Sequence, residues 1–327
     1  MPNIITHKIF AETVASQCAN KDIKELLEKH EQLFGIGANG PDFLFFYHMR
    51  PWEMMKEHSL NHIGSALHST HINDFYESAM TVIQKEEDKQ IKERELVYVL
   101  GHLCHWALDM TSHPYIFYRT GNGRGISAGK HHRFESVLDA VMLNLYRRQD
   151  IREYRAYEIC EFDRDMLQAI ARVYVPAVQN ALGETLRVYQ VRQSLEAWKD
   201  VQKMLYDPHH RKVKILQRME RMIHQPWLIS GNIIPCAIED DEDVLNLSGR
   251  PWLHPCDADE CHHNSFLDLF EQAQVLALQT IECLYHCIVH ESDPQLLLNL
   301  LQDRAYDSGR KEGIEMKYFE VMNDETI

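Results

Sequence analysis

"GHLCHWALDMTSHP", Gly101 to Pro114, has the composition of a buried helix and yet carries His102, His105, Asp109 and His113 among its apolar residues. Side chains three, four and seven apart share a helical face, so His102, His105 and Asp109 form one stripe, and His113 follows where Pro114 is expected to end the helix. Val97, Val99, Leu100, Leu103, Cys104, Trp106, Ala107 and Leu108 leave hardly any polar face. The helix is therefore expected to be central and dry. A buried carboxylate without a partner is costly, whereas imidazole and carboxylate around a divalent cation are satisfied. For this stretch by itself, a buried and hydrogen-bonded His–Asp pair is the alternative.

Outward from this stretch the helical period dominates. "KDIKELLEKHEQLF", "RELVYVLGHLCHWALDM", "HHRFESVLDAVMLNLYRR", "RDMLQAIARVYVPAVQNAL" and "SFLDLFEQAQVLALQTIECLYHCIVH" all repeat apolar residues at spacings of three and four. Strand alternation is nearly absent, so the fold class is all-α. Two irregular stretches interrupt the helices. "TGNGRGISAGK", from Thr120, reads as a flexible connector. The segment Gln225 to His263 contains Pro226, Pro235, Pro251 and Pro255, with a solvated acidic run from Glu239 to Asp243. Loops of that length are often lids, and Trp227, Trp252 and His254 supply anchors, so this one is expected to border a site.

Composition bounds the function. The 327 residues, 45% hydrophobic, suffice for a folded core. A net charge of −15 disfavours long nucleic acid as a partner while leaving small anions possible at a cationic metal site. The start, "MPNIITHKIFAETVASQ", lacks a basic segment followed by an apolar one, and no run approaches the roughly 18 apolar residues of a membrane span. The expectation is a cytoplasmic protein with at most peripheral membrane contact; nothing indicates an oligomeric state. Eight cysteines spread over the chain suit reduced thiols better than a disulfide frame.

A second constellation lies in "HHRFESVLDAVMLNL". Its apolar stripe, Phe134, Val137, Leu138, Val141, Met142 and Leu145, sets the direction of the core. At about 100° per residue His131 lies roughly 50° from that direction and His132 roughly 150°. His131 is thus the better candidate ligand, with Glu135 four residues on and Asp139 eight residues on.

Together these stretches carry a resemblance. A buried HxxxD, a His soon after, then an HxxxE reached through a loop is similar to the zinc signature of bacterial zinc-dependent phospholipase C and the related fungal single-strand nucleases, the phospholipase branch most. "THKIF" with His7, "GANGPDFLFFYH" with Asp42 in a Gly-Pro-Asp turn, and "HIGSALHST" with His68 follow the family's order upstream. The match spans roughly residues 2 to 148. It implies a multi-helix bundle around a trinuclear zinc site, a phospholipase C-like domain over 1–148, and a helical region over 149–327 packed on it.

Carried over by position, the resemblance gives Asp42, His68, His105 and Asp109 to a first zinc, His113, His131 and Glu135 to a second, and His7, a shared Asp109 and an N-terminal amine at Pro2 to a third. His113 stands closer to Asp109 than in the secreted enzymes. His102 stands where the family has an apolar or small residue, and reads either as a donor behind a ligand or as a core histidine. His68 is preferred to His71 because "GxxLH" carries the resemblance. The implied chemistry is hydrolysis of a small phosphodiester or lipid headgroup by zinc-activated water, with Asp42 able to accept a proton. A nuclease or nucleotidase on the same metals, or a silent zinc-stabilised helical protein, are the alternatives. Cys283, His286, Cys287 and His290, and Cys256 and Cys261 in "CDADECHH", lack a standard zinc spacing.

Overall fold

Lys89–Thr120 runs as one helix of 32 residues, and the rest of the fold is arranged around it. In the computed structural model, which describes residues 4–53, 55–57, 59–236 and 243–320, the α-helices are α1 (Ile4–Gln17), α2 (Lys21–Lys29), α3 (Glu31–Gly37), α4 (Asn61–Ser69), α5 (Ile72–Lys85), α6 (Lys89–Thr120), α7 (Ile126–Arg147), α8 (Arg164–Leu182), α9 (Val188–Leu205), α10 (Arg211–Met222), α11 (Phe266–Val289) and α12 (Gln295–Leu301). The all-α reading holds. One small antiparallel hairpin, β1 (Trp252–His254) and β2 (Asp257–His262), lies within the stretch read as irregular.

The Asp88 side chain starts α6 by accepting from the backbone amides of Gln90 and Ile91. From Glu95 to Phe117 every residue but Thr111 is buried, because α1, α3, α7, α8 and α11 all pack against it. The helix does not end at Pro114, as the sequence suggested. Proline only deprives the Met110 carbonyl of its intrahelical donor, and burial on all sides keeps the helix continuous to Gly121, whose φ of 96° closes it.

Two glycines set how close α3 comes to α6. A Cβ on Gly101 would collide with the Phe34 carbonyl oxygen, and one on Gly37 with that of Tyr98. The backbones therefore touch directly at this crossing. The chain leaving α3 turns at Gly40, φ 50°, where a Cβ would strike the His105 ring. The 3₁₀ turn Asp42–Phe46 follows, packed on α9 and α4, and its Asp42 carboxylate lies 3.8 Å from His105 Nε2 of α6. The glycine-rich connector is a short turn with Gly121, Gly123 and Gly125 at positive φ, and α7 starts at once at Ile126. All eight cysteines, each within the described residues, are free thiols.

Candidate metal centre

Spacing by four along α6 lines up His105, Asp109 and His113, and Asp109 is the hub. Its Oδ1 lies 3.1 Å from His7 Nε2, and its Oδ2 lies 3.2 Å from His105 Nε2 and 3.6 Å from His113 Nδ1. His7 is delivered by α1, whose N-terminus is fixed by a buried carboxylate. Asp139 of α7 accepts from the Ile5 amide at 3.0 Å and from the Thr6 amide and hydroxyl at 2.7 and 2.6 Å. These are amides that a helix start leaves without partners, and a carboxylate there complements the helix dipole. Asp139, read from sequence on the same rim as His131 and Glu135, serves α1 instead.

The other histidines are oriented from behind. His68 Nδ1 donates to the Gly64 carbonyl at 2.8 Å, leaving Nε2 3.0 Å from Asp42 Oδ1. His113 Nδ1 lies 3.2 Å from the Tyr306 carbonyl, and its Nε2 lies 3.4 Å from Glu135 Oε1. His131 Nδ1 meets the Thr120 hydroxyl at 3.2 Å, with Nε2 3.0 Å from Glu135 Oε1. A carbonyl only accepts, so in a neutral His68 the proton sits on Nδ1 and the Nε2 lone pair faces a carboxylate oxygen. Two lone pairs opposed in a dry site repel unless a proton or a cation lies between them. This rear anchoring is how metal-binding histidines are held.

The donor atoms fall into three buried groups, His7–His105–Asp109, Asp42–His68–His105 and His113–His131–Glu135, each with its atoms within 4.8 Å of one another. Asp42 Oδ1, His105 Nε2, Asp109 Oδ2 and both Glu135 carboxylate oxygens are buried without a hydrogen-bond partner. Five such orphans in one place would be expensive in a finished core. Divalent cations would satisfy them all, and the mixed imidazole and carboxylate set suits zinc. Protons do part of that work in the bare site. Burial would push the His113 imidazole down, but Asp109 and Glu135 outweigh it and lift the group to about 10. Burial likewise opposes ionisation of Glu135, and His131 and His113 hold that carboxyl well below its usual range. At Asp42 burial wins over His68, and the carboxyl is raised.

Every ligand candidate from the sequence reaches this centre except Pro2, which lies outside the described residues. The grouping differs in one respect. His105 belongs to two groups, while Asp109 lies with His7 and His105 and touches His113 rather than joining Asp42 and His68. His102 is a core histidine, 2.8 Å from the Tyr76 hydroxyl and 2.9 Å from that of Tyr174. His71 is exposed and paired with Asp74. None of Cys256, Cys261, Cys283 or Cys287 joins a metal-competent group among the described residues.

Over the Asp42–His68 and His113–His131 pairs opens a cleft of about 180 Å³, lined also by Phe45, Phe117 and Asp307. Asp307 and Tyr306 were not legible as site residues. The Tyr306 amide donates to the His68 carbonyl, and the Trp106 indole donates to the Arg304 carbonyl, so the C-terminal segment is stitched across the cleft. No local motif announces a chain that returns from nearly 200 residues away. Residues 227–234 of the long segment pack on α7, with the Arg133 guanidinium over Trp227 and the Ser136 hydroxyl donating to the Gly231 carbonyl. Trp252 instead packs on Tyr115, and neither it nor His254 lines the cleft. Glu239 to Glu242 of the acidic run lie outside the described residues.

No curated protein and no solved structure is significantly similar to this chain. The family model of zinc-dependent phospholipase C matches residues 6–183, which hold all eight side chains of the three groups. With more than half of its length matched and its buried donors in place, the chain belongs to the zinc-dependent phospholipase C family.

Proposed function

We propose that this chain is a zinc-dependent phosphoesterase that hydrolyses a small phosphodiester in the manner of phospholipase C. The observation that carries the reading is the set of three donor groups joined through His105 and Asp109, with Asp42, His68, His113 and His131 open to one cleft. His7, His105 and Asp109 would hold one zinc, Asp42, His68 and His105 another, and His113, His131 and Glu135 a third. Zinc there supplies a water activated near neutral pH and positive charge to offset that developing on a phosphoryl group.

The side chains set the rest. Asp42 lies on the cleft wall and is the acceptor for a proton from the attacking water. Phe45 and Phe117 give apolar walls that exclude water, and Asp307 leaves a negative group where a cationic headgroup would sit. A volume of about 180 Å³ falls below the roughly 300–1,000 Å³ of pockets for drug-sized ligands. This supports a headgroup-sized diester over a nucleotide.

The test is metal analysis of protein purified without chelator, followed by assays on a chromogenic phosphodiester and a phosphomonoester. Bound zinc with diester turnover is expected. Preference for the monoester would shift the reading to a nucleotidase, and zinc without turnover of either would refute it.

A further inference from the structure

The chain carries a net charge of −15, yet α10 reads "RKVKILQRMERM", with five cations and one acid. That acid is spent on tethering. Glu220 is buried and accepts from the Ile229 and Ser230 amides and the Ser230 hydroxyl. Lys212 donates to the Met204 and Tyr206 carbonyls at the end of α9. Held by these polar ties, α10 turns an apolar row outward: Ile215, Met219 and Met222 are 60%, 58% and 80% exposed. Beside that row run Arg211, Lys214, Arg218 and Arg221, none with an ion pair among the described residues. Apolar residues at i, i+4 and i+7 flanked by cations are the pattern of a helix that lies in a membrane interface.

Behind α10 lies a groove of about 380 Å³, walled by Trp198, Val201 and Leu205 of α9, Leu216 of α10, and Leu228 and Ile233. Asp42 and His132 line both this groove and the metal cleft, so the two share a wall. Pro51 lines it as well, and the neighbouring Trp52 is 71% exposed. No helix among the described residues is long and apolar enough to cross a membrane.

We propose that α10 is the edge by which this protein rests on an anionic membrane. This docking edge does not depend on the phosphoesterase reading. A protein partner or a second copy would also cover an apolar row. The cations beside it call for an anionic surface.

The experiment is co-sedimentation of the full chain with vesicles of phosphatidylcholine alone and of phosphatidylcholine with about 30% phosphatidylglycerol, a fraction chosen to give a strongly anionic surface. The comparison variants are Ile215→Ser/Met219→Ser/Met222→Ser and Lys214→Glu/Arg218→Glu/Arg221→Glu. Wild type is expected to bind the anionic vesicles at least tenfold more tightly than the neutral ones, and each variant to lose at least tenfold while keeping its melting temperature, since these side chains are exposed. Vesicle binding that the stripe variants abolish supports the docking edge even if no phosphoester is hydrolysed. Diester turnover without vesicle binding overturns the inference and leaves the phosphoesterase standing. A dimer that the stripe variants dissolve, with no vesicle binding, overturns it in favour of a second copy.

Discussion

Burial would raise the carboxyl of Asp109, but His105, His113 and His7 outweigh it and hold the group ionised well below the usual carboxylate range. One side chain therefore serves three imidazoles, and removing its charge should disturb more than one metal. Asp109→Asn is expected to lose zinc, to lower activity by on the order of 100-fold or more, and to lower the melting temperature, as bound metal stabilises the folded state. Unchanged zinc content with an unchanged melting temperature would refute the hub. His102 gives a contrasting case. Burial first, and then the His68 charge, push its imidazole down to about 3, so it is neutral in the folded protein. The unfolded chain takes up this proton below about 6.5. The stability from keeping His102 neutral is thus complete above about pH 6.5 and drains away as pH falls towards 3. His102→Gln should cost about 1–3 kcal/mol at neutral pH through its contacts with Tyr76 and Tyr174. The deficit should shrink as pH drops below about 6.5. Urea melts of both chains from mildly acidic to mildly alkaline pH check this, and a gap that widens in acid counts against it.

At the scale of elements, the centre depends on how near the backbone of α3 approaches α6. Gly37 and Gly101 allow carbonyl oxygens to sit where a Cβ would be, and Gly40 lets the turn carrying Asp42 lean on the His105 ring. Gly101→Ala introduces one methyl group at a backbone contact that has no flexible side chain to yield. The expected cost is about 1–3 kcal/mol or more, as for overpacked cores. Because the two helices would separate, activity should fall beyond what the residual stability explains, with zinc lost from the Asp42–His68–His105 group. Denaturant melts and metal analysis on the same preparation separate the two effects. A variant as stable and as active as the wild type would mean that the crossing can open without harm.

For the whole molecule, the family match ends at residue 183 while the architecture does not. α11 lies along α6, and Tyr306 and Asp307 close one side of the cleft. Without residues beyond 187, an apolar face of α6 would be left in water and His113 would lose the carbonyl behind it. A fragment of residues 1–187 is therefore expected to be aggregated or molten and to retain little zinc, judged by circular dichroism and metal analysis. A soluble, cooperatively melting fragment with full zinc content would show that the C-terminal helices are dispensable. Chelation of the full chain should lower its melting temperature in proportion to the logarithm of free zinc over its dissociation constant.

Local pattern was enough for the helical class, for the dryness of α6, and for the choice of His131 over His132 and His68 over His71 as ligand candidates. In each case the signal is periodicity or a short motif, which depends only on neighbours along one helix. The end of α6 was misjudged at Pro114 for the same reason: proline's local penalty is visible in sequence, and the burial that outweighs it is not. The sharing of His105, the turning of Asp139 to the start of α1, the placement of Asp307 and the groove behind α10 all involve groups far apart in the chain. They follow from which helices meet and at what distance, and no local spacing encodes a crossing made by Gly37 on Gly101. The sequence alone determined the helical class and the candidate donors. Tertiary packing decided which donors face one another, because a donor's neighbours are set by the close approach of separate backbones.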